Sequence, residues 1–235
     1  MKVKCVIFDM DGLMFDTEKI GGECFKAAAL EFGYQVSDKI RFELLGRSKQ
    51  DNYQILKGYF GSDYPSDKVS ELSLKKRNEY IDKYGLPVKP GLKVLLQYLK
   101  EHHILTAVAS SSNYDMVCDY LKMSNVFELI DYVVAGDQVS HSKPDPEIFL
   151  NVVKHFKIKV NEALVLEDSQ NGILAAHNGN IPVICIPDLV RHKSSINELC
   201  LAVLNDLNEV VNYLRWLNKS EMCYNETNAE ERFIC

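Results

Sequence analysis

Val6-Ile7-Phe8-Asp9-Met10-Asp11-Gly12 decides how the rest of the chain is read. An apolar, β-branched run ends in two carboxylates spaced i, i+2, and a glycine follows at once. A strand buried on both faces has this continuous apolar pattern. At the C-terminal edge of such a strand, open α/β sheets bind their ligands. Two carboxylates in register with a glycine there suit a hard cation and a phosphoryl group, since Mg²⁺ prefers oxygen ligands and substrate phosphate. The same seven residues also fit a strand followed by an ordinary Asp-Gly turn.

Outward from this stretch, residues 3–9 read as the first strand. From about Glu18 the period becomes helical, with Phe25, Ala28, Ala29 and Phe32 on one face and Gly33 as a stop. Further helices are expected near 38–45, 49–59 and 66–84, with no strand between Thr17 and Pro87. This block reads as a helical insertion. Gly85-Leu86-Pro87 and Lys89-Pro90-Gly91 form a turn-rich return hinge. Strands then alternate with helices. The strands are expected at 104–109, 132–135, 163–166, 182–186 and 202–204, and the helices at 91–102, 114–122, 146–156, 171–178 and 207–217. Such alternation implies a parallel sheet with helical crossovers. The expected fold is therefore α/β: a Rossmann-like, doubly wound parallel sheet with an inserted α-helical cap. Residues 1–13 and 89–217 would form the core and 14–88 the cap. The polar, acidic tail 218–235 is expected to be disordered.

The length of 235 residues allows a full hydrophobic core, and 46% apolar with 26% charged residues is ordinary for a globular chain. A net charge of -6 argues against a nucleic-acid surface. No apolar run approaches the length of a membrane span, and the first residues enter a strand without a signal-peptide pattern. Seven cysteines show no Cys-x-x-Cys pair and no zinc-like spacing. Cys5 and Cys185 lie in apolar runs as small core residues, and reduced thiols in a cytoplasmic protein are the simplest account. The Asn218-Lys219-Ser220 and Asn225-Glu226-Thr227 sequons are discounted for want of a secretory signal.

Three more sites fall just after expected strands. In Val108-Ala109-Ser110-Ser111-Ser112 a hydroxyl and small residues open a helix, an arrangement that binds phosphate or merely caps the helix. Ser142-Lys143-Pro144-Asp145-Pro146 offers a fixed positive charge on a stiff loop. Val165-Leu166-Glu167-Asp168 ends an apolar strand in two adjacent carboxylates, which are costly to hold together without a cation. Each signal alone is weak.

Their order is specific. Phe8-Asp9-Met10-Asp11-Gly12-Leu13-Met14-Phe15-Asp16-Thr17-Glu18, then Ser110, Lys143-Pro144 and Glu167-Asp168, resembles the four motifs of the haloacid dehalogenase phosphohydrolase superfamily. The resemblance extends to about residue 217. It is weakest in the insertion, which is similar to the small cap of the β-phosphoglucomutase and sugar-phosphate phosphatase subfamily. The resemblance implies that Asp9 is the nucleophile and Asp11 the general acid and base. It implies Mg²⁺ on the Asp9 carboxylate, the Asp11 backbone carbonyl and Asp168, with Glu167 in or near that shell. Ser110, Ser111 and Lys143 would bind phosphoryl oxygens. Arg47 and Lys49, in the basic stretch Gly46-Arg47-Ser48-Lys49, would grip the distal part of a substrate unless that loop is simply solvated.

The expected function is a phosphatase for a small phosphorylated metabolite, a sugar phosphate first among them, acting as a monomer. The alternative is a phosphomutase of the β-phosphoglucomutase type. Against it, the window Glu18-Lys19-Ile20-Gly21-Gly22-Glu23 lacks the histidine that the resemblance places in the mutase's first cap helix. Dehalogenases of the superfamily need no second aspartate, so Asp11 counts against that chemistry. A non-catalytic metabolite-binding module would be expected to have lost a motif residue, and none is lost.

Overall fold

The first strand is short because its work is confined to the buried centre of the sheet. In a computed structural model, which describes residues 2–45 and 49–217 and leaves the Lys49 side chain undescribed, β1 spans Cys5–Phe8 and all four residues are buried. Asp9 lies just beyond it, yet its N–H still donates to the Leu166 carbonyl at 3.0 Å. The tail 218–235 and the loop residues 46–48 lie outside the described residues.

Four helices follow β1: α1 (Thr17–Glu31), α2 (Asp38–Leu44), α3 (Lys49–Phe60) and α4 (Ser66–Tyr84). Among the described residues no strand interrupts them. Then come α5 (Leu92–Glu101), β2 (Leu105–Ser110), α6 (Tyr114–Met123), β3 (Tyr132–Ala135), α7 (Glu147–Phe156), β4 (Ala163–Glu167), α8 (Gln170–Asn178) and β5 (Val183–Cys185). A short α9 (Ser194–Asn197), β6 (Ala202–Val203) and a last helix, α10, over residues 207–217 complete the order. The elements stand within a residue or two of the expected positions. The exceptions are α9 and three short 3₁₀ turns, which carry too few apolar residues to show a period. Pro146 sits just before α7 rather than in its first turn.

The six strands form one parallel sheet in the order β3-β2-β1-β4-β5-β6. Alternate side chains feed two cores. Val6, Phe8, Val108, Leu164 and Leu166 pack with Leu95, Leu96 and Leu99 of α5 and with Val210 and Leu214 of α10. Cys5, Ile7, Ala107, Val165 and Val183 pack on the other face with Phe149 and Val152 of α7 and Ile173 of α8. Both faces are covered, so the sheet is doubly wound, and its strands have no polar side to spare. From the central β1 the chain first builds outward through β2 and β3, then returns to β4 on the other side. The switch point therefore lies at the C-terminal end of β1, where Asp9 emerges.

The helical block has its own smaller core of Ala28, Ala29, Val36, Ile40, Leu56, Tyr64 and Val69. Two adjacent segments join it to the sheet. The Asp16 N–H donates to Pro87 O at 3.0 Å and the Lys89 N–H donates to Met14 O at 2.9 Å, with Phe15 bridging Val88. The Lys89 ammonium pairs with Asp188 and lies 3.6 Å from Asp16, which ties both segments to the loop after β5. Among the described residues, no helix is long and apolar enough to cross a membrane.

The fully buried Leu96 holds the α5 core to the sheet, whereas Leu30 on α1 is exposed. Leu96→Ala should cost roughly 2–5 kcal/mol of unfolding free energy in urea titrations. Leu30→Ala should change it by less than about 0.5 kcal/mol. Equal effects would contradict the assignment of this face as core.

Candidate active site

Lys143 is the centre of the site. It lies in the loop between β3 and α7, and its ammonium is 2.5 Å from Asp9 Oδ1, 2.7 Å from Glu167 Oε1 and 3.1 Å from the Ala109 carbonyl. Three protons thus meet three acceptors. Beneath it the Phe149 ring centroid lies 4.9 Å away, a cation–π contact. The loop is tied down locally: Glu147 accepts the Ser140 and His141 N–H groups, Asp145 N–H donates to Ser142 O, and Asn178 donates to Pro144 O. Burial alone would favour the neutral amine. Asp9 and then Glu167 outweigh it and hold Lys143 cationic, above the ordinary lysine range.

Glu167 is the last residue of β4 and is fully buried. One oxygen faces Lys143, and the other accepts the Ser169 N–H at 2.8 Å and the Ser169 hydroxyl at 2.9 Å. Gly172 in α8 makes room for it, because a β-carbon there would fall 1.6 Å from Glu167 Oε1. Asp168, one residue on, presses on the first loop. A β-carbon on Gly12 would lie 2.3 Å from Asp168 Oδ2, and Gly12 also adopts a φ of 85° that L side chains disfavour.

The two carboxylates of the first loop part company. Asp9 faces Lys143. Asp11 accepts the Thr17 hydroxyl at 2.6 Å on one oxygen and the Ser112 hydroxyl at 2.8 Å on the other. Burial pushes the Asp9 carboxyl up to about 8, with Lys143 pulling it back and Glu167 adding to the rise. Burial, then Glu167 and Asp9, raise Asp168 well above the carboxylate range.

Oxygen atoms of Asp9, Glu167 and Asp168 lie within 4.8 Å of one another and could together hold a metal ion. The cluster gathers three acids beside a single lysine that contacts two of them, so it is short of positive charge, and an all-oxygen donor set suits a hard cation. Glu167 already engages Lys143 and Ser169, leaving Asp9 and Asp168 the freer donors. The Asp11 side chain stands outside this cluster, turned toward its two hydroxyls.

Not every expected site residue points at the cluster. Ser110 ends β2 with its hydroxyl buried, accepting the Ser112 N–H at 3.1 Å and so closing the turn. Ser111 is exposed beside it. Arg47 and the Lys49 side chain lie outside the described residues. Thr17, Ser112 and Ser169 were missed by sequence reasoning. Ser112 and Ser169 lie two residues from Ser110 and Glu167, and Thr17 lies six residues after Asp11 inside the first motif; that proximity was the available signal.

A family-wide sequence profile of haloacid dehalogenase-like hydrolases matches residues 6–186. A phosphorylated carbohydrates phosphatase from Thermotoga maritima is 29% identical over 183 residues, covering 76% of this chain and 82% of that protein. A (DL)-glycerol-3-phosphatase from Arabidopsis thaliana is 29% identical over 194 residues, covering 78% and 79%. The crystal structure of a β-phosphoglucomutase from Clostridium difficile shares the fold, with a TM-score of 0.75 at 19% identity over 94% of this chain and 99% of that one. With its motif residues gathered at one end of the parallel sheet, the chain belongs to the haloacid dehalogenase-like hydrolases.

Proposed function

We propose that the protein is a Mg²⁺-dependent phosphatase that hydrolyses a small phosphomonoester, a sugar phosphate first among them, through a phosphorylated Asp9. The observation that carries this reading is the separation of the two loop carboxylates. Asp9 lies against an ammonium, and Asp11 is held apart by two hydroxyls. Carboxylates in distinct environments can take distinct roles. Relatives named as phosphatases of phosphorylated carbohydrates and of glycerol 3-phosphate support the substrate class.

In this reading an Asp9 oxygen attacks phosphorus, a bond forms between them, and the bond from phosphorus to the ester oxygen breaks. Asp11 gives its proton to the departing oxygen. It then takes a proton from water as that water attacks the aspartyl-phosphate, releasing inorganic phosphate and restoring Asp9. Thr17 and Ser112 orient the Asp11 carboxyl for both transfers. Lys143 offsets charge on the phosphoryl oxygens, with Ser110 and Ser111 at the end of β2 on the same edge of the sheet. Mg²⁺ would be held by Asp9, Asp168 and the Asp11 backbone carbonyl, with Glu167 beside them, and when bound would screen the anionic nucleophile from the anionic phosphate. Residues from about 14 to 88 act as a cap that closes over the site about the paired segments at Phe15 and Val88. One chain supplies every group named, so a monomer suffices.

The test supplies Mg²⁺ and a panel of phosphorylated sugars, nucleotides and glycolytic intermediates, including β-glucose 1-phosphate with catalytic glucose 1,6-bisphosphate. Inorganic phosphate should be the main product, and Asp9→Asn should lower turnover by a factor on the order of a thousand or more while the protein stays folded. Glucose 6-phosphate forming much faster than free phosphate would make the protein a mutase. No turnover of any ester would leave a binding module.

The acids that would hold the cation set a second expectation. Burial raises the proton affinity of the Asp9 and Asp168 carboxyls in the metal-free protein. Cation binding must then displace protons. Mg²⁺ affinity should rise from mildly acidic pH to about 8, by about tenfold per pH unit for each proton displaced. Titration calorimetry in buffers of different ionisation enthalpy should detect the released protons at neutral pH. An affinity independent of pH would contradict the assignment of Asp9 and Asp168 as ligands.

A further inference from the structure

The peptide group that joins Asp168 to Ser169 is held at both of its polar ends. Its N–H donates to Glu167 Oε2 at 2.8 Å. Its carbonyl oxygen, which belongs to Asp168, lies 2.6 Å from His192 Nε2. A carbonyl oxygen can only accept, so the partner assigns the proton to Nε2, and His192 is the donor. A peptide unit is planar, so holding both ends fixes its plane. That plane sets the backbone angle at Asp168, and with it the direction in which the side chain leaves the chain. Turning the peptide over would break both bonds at once.

The aim of this carboxylate depends on its backbone more than that of its neighbour does. Glu167 is steadied through its own oxygens by Lys143 and Ser169. Asp168 is a freer donor, and its tip lies against the Gly12 loop, where a β-carbon would fall 2.3 Å from Oδ2. A small turn of the backbone would drive the carboxylate into that loop or carry it away from Asp9. His192 comes from outside every motif, 24 residues further along the chain. It stands half-buried on the loop between β5 and α9. That loop is anchored twice before it reaches the histidine. The Ile186 N–H donates to Glu167 O at 2.8 Å, and Asp188, whose side chain is 8% exposed, pairs with Lys89. A ring on a loop already ordered in this way loses little further freedom in holding its donor on the carbonyl.

We infer that His192 is a positioning residue for the cation site: through the Asp168 carbonyl it aims the Asp168 carboxylate at the place where Asp9 and Asp168 would share an ion. The inference rests on the assignment of Asp168 as a Mg²⁺ ligand and adds a residue to it. Partners that orient a metal-ligating group typically govern affinity by roughly 10–100-fold. Here the hold is on the ligand's backbone rather than its oxygens, so the lower end of that range is expected.

The experiment measures Mg²⁺ affinity by titration calorimetry at one fixed pH, with urea titrations of the same samples to establish that each is folded. His192→Phe keeps a ring and loses the donor, and should weaken Mg²⁺ binding about tenfold. His192→Gln supplies an amide N–H in place of the ring N–H, and should bring the affinity back to within about threefold of the wild type. Should the Phe variant fail to fold, His192→Ala takes its place in the comparison with Gln. Asp168→Asn serves as the reference for losing the ligand itself. A histidine that only stitched the loop to the sheet would lower the urea midpoint of the Phe variant and leave Mg²⁺ affinity unchanged, which would overturn the inference. Equal weakening in the Phe and Gln variants would overturn it too, because the donor would not be the cause. An unchanged Phe variant beside a weakened Asp168→Asn would sink this inference alone. If the wild type bound no Mg²⁺, or Asp168→Asn bound it as tightly as the wild type, the metal assignment would fall and this inference with it.

Discussion

A buried ammonium shared by two buried carboxylates is the constraint on which the site depends. Lys143 bridges Asp9 at the end of β1 and Glu167 at the end of β4, neighbouring strands whose backbones are already in register. None of the three charges is affordable alone away from water, because an isolated buried ion costs several kcal/mol even after relaxation. Removing any one strands the others. The Gly172 clearance, the Ser169 contacts and the stitched loop around Lys143 all hold this arrangement in place.

The bridge also divides labour. By fixing Asp9 toward Lys143 it leaves Asp11, two residues later, to turn toward Thr17 and Ser112. Thr17 opens α1, so the Asp11 carboxylate is held by the first residue of the helical block, while Lys143 and the sheet hold Asp9. Movement of that block would reach Asp11 first. The Lys89 contacts with Asp16 and Asp188 tie the same junction to the loop after β5.

Much of the fold was legible in the sequence, because strands buried on both faces leave continuous apolar runs and amphipathic helices leave a 3.6-residue period. Helices α2 to α4 and strand β3 fall almost where their patterns end. The short α9 was not legible, since four residues carry no period. At the site, residue types at strand ends were legible but side-chain directions were not. Ser110 and Ser112 are equally placed in sequence, yet one hydroxyl closes the turn and the other reaches Asp11. That Lys143 meets both Asp9 and Glu167 depends on strand order, which no local pattern encodes.

The central claim is that Asp9, rather than Asp11, Glu167 or Asp168, carries the phosphoryl group. Borohydride reduces an acyl phosphate to the alcohol, so trapping the enzyme during turnover should convert the phosphorylated aspartate to homoserine. Peptide mass spectrometry should then find homoserine at position 9 only, and only when substrate and Mg²⁺ are present. Homoserine at position 11 or 168, or none at any acid while phosphate is being released, would contradict the account.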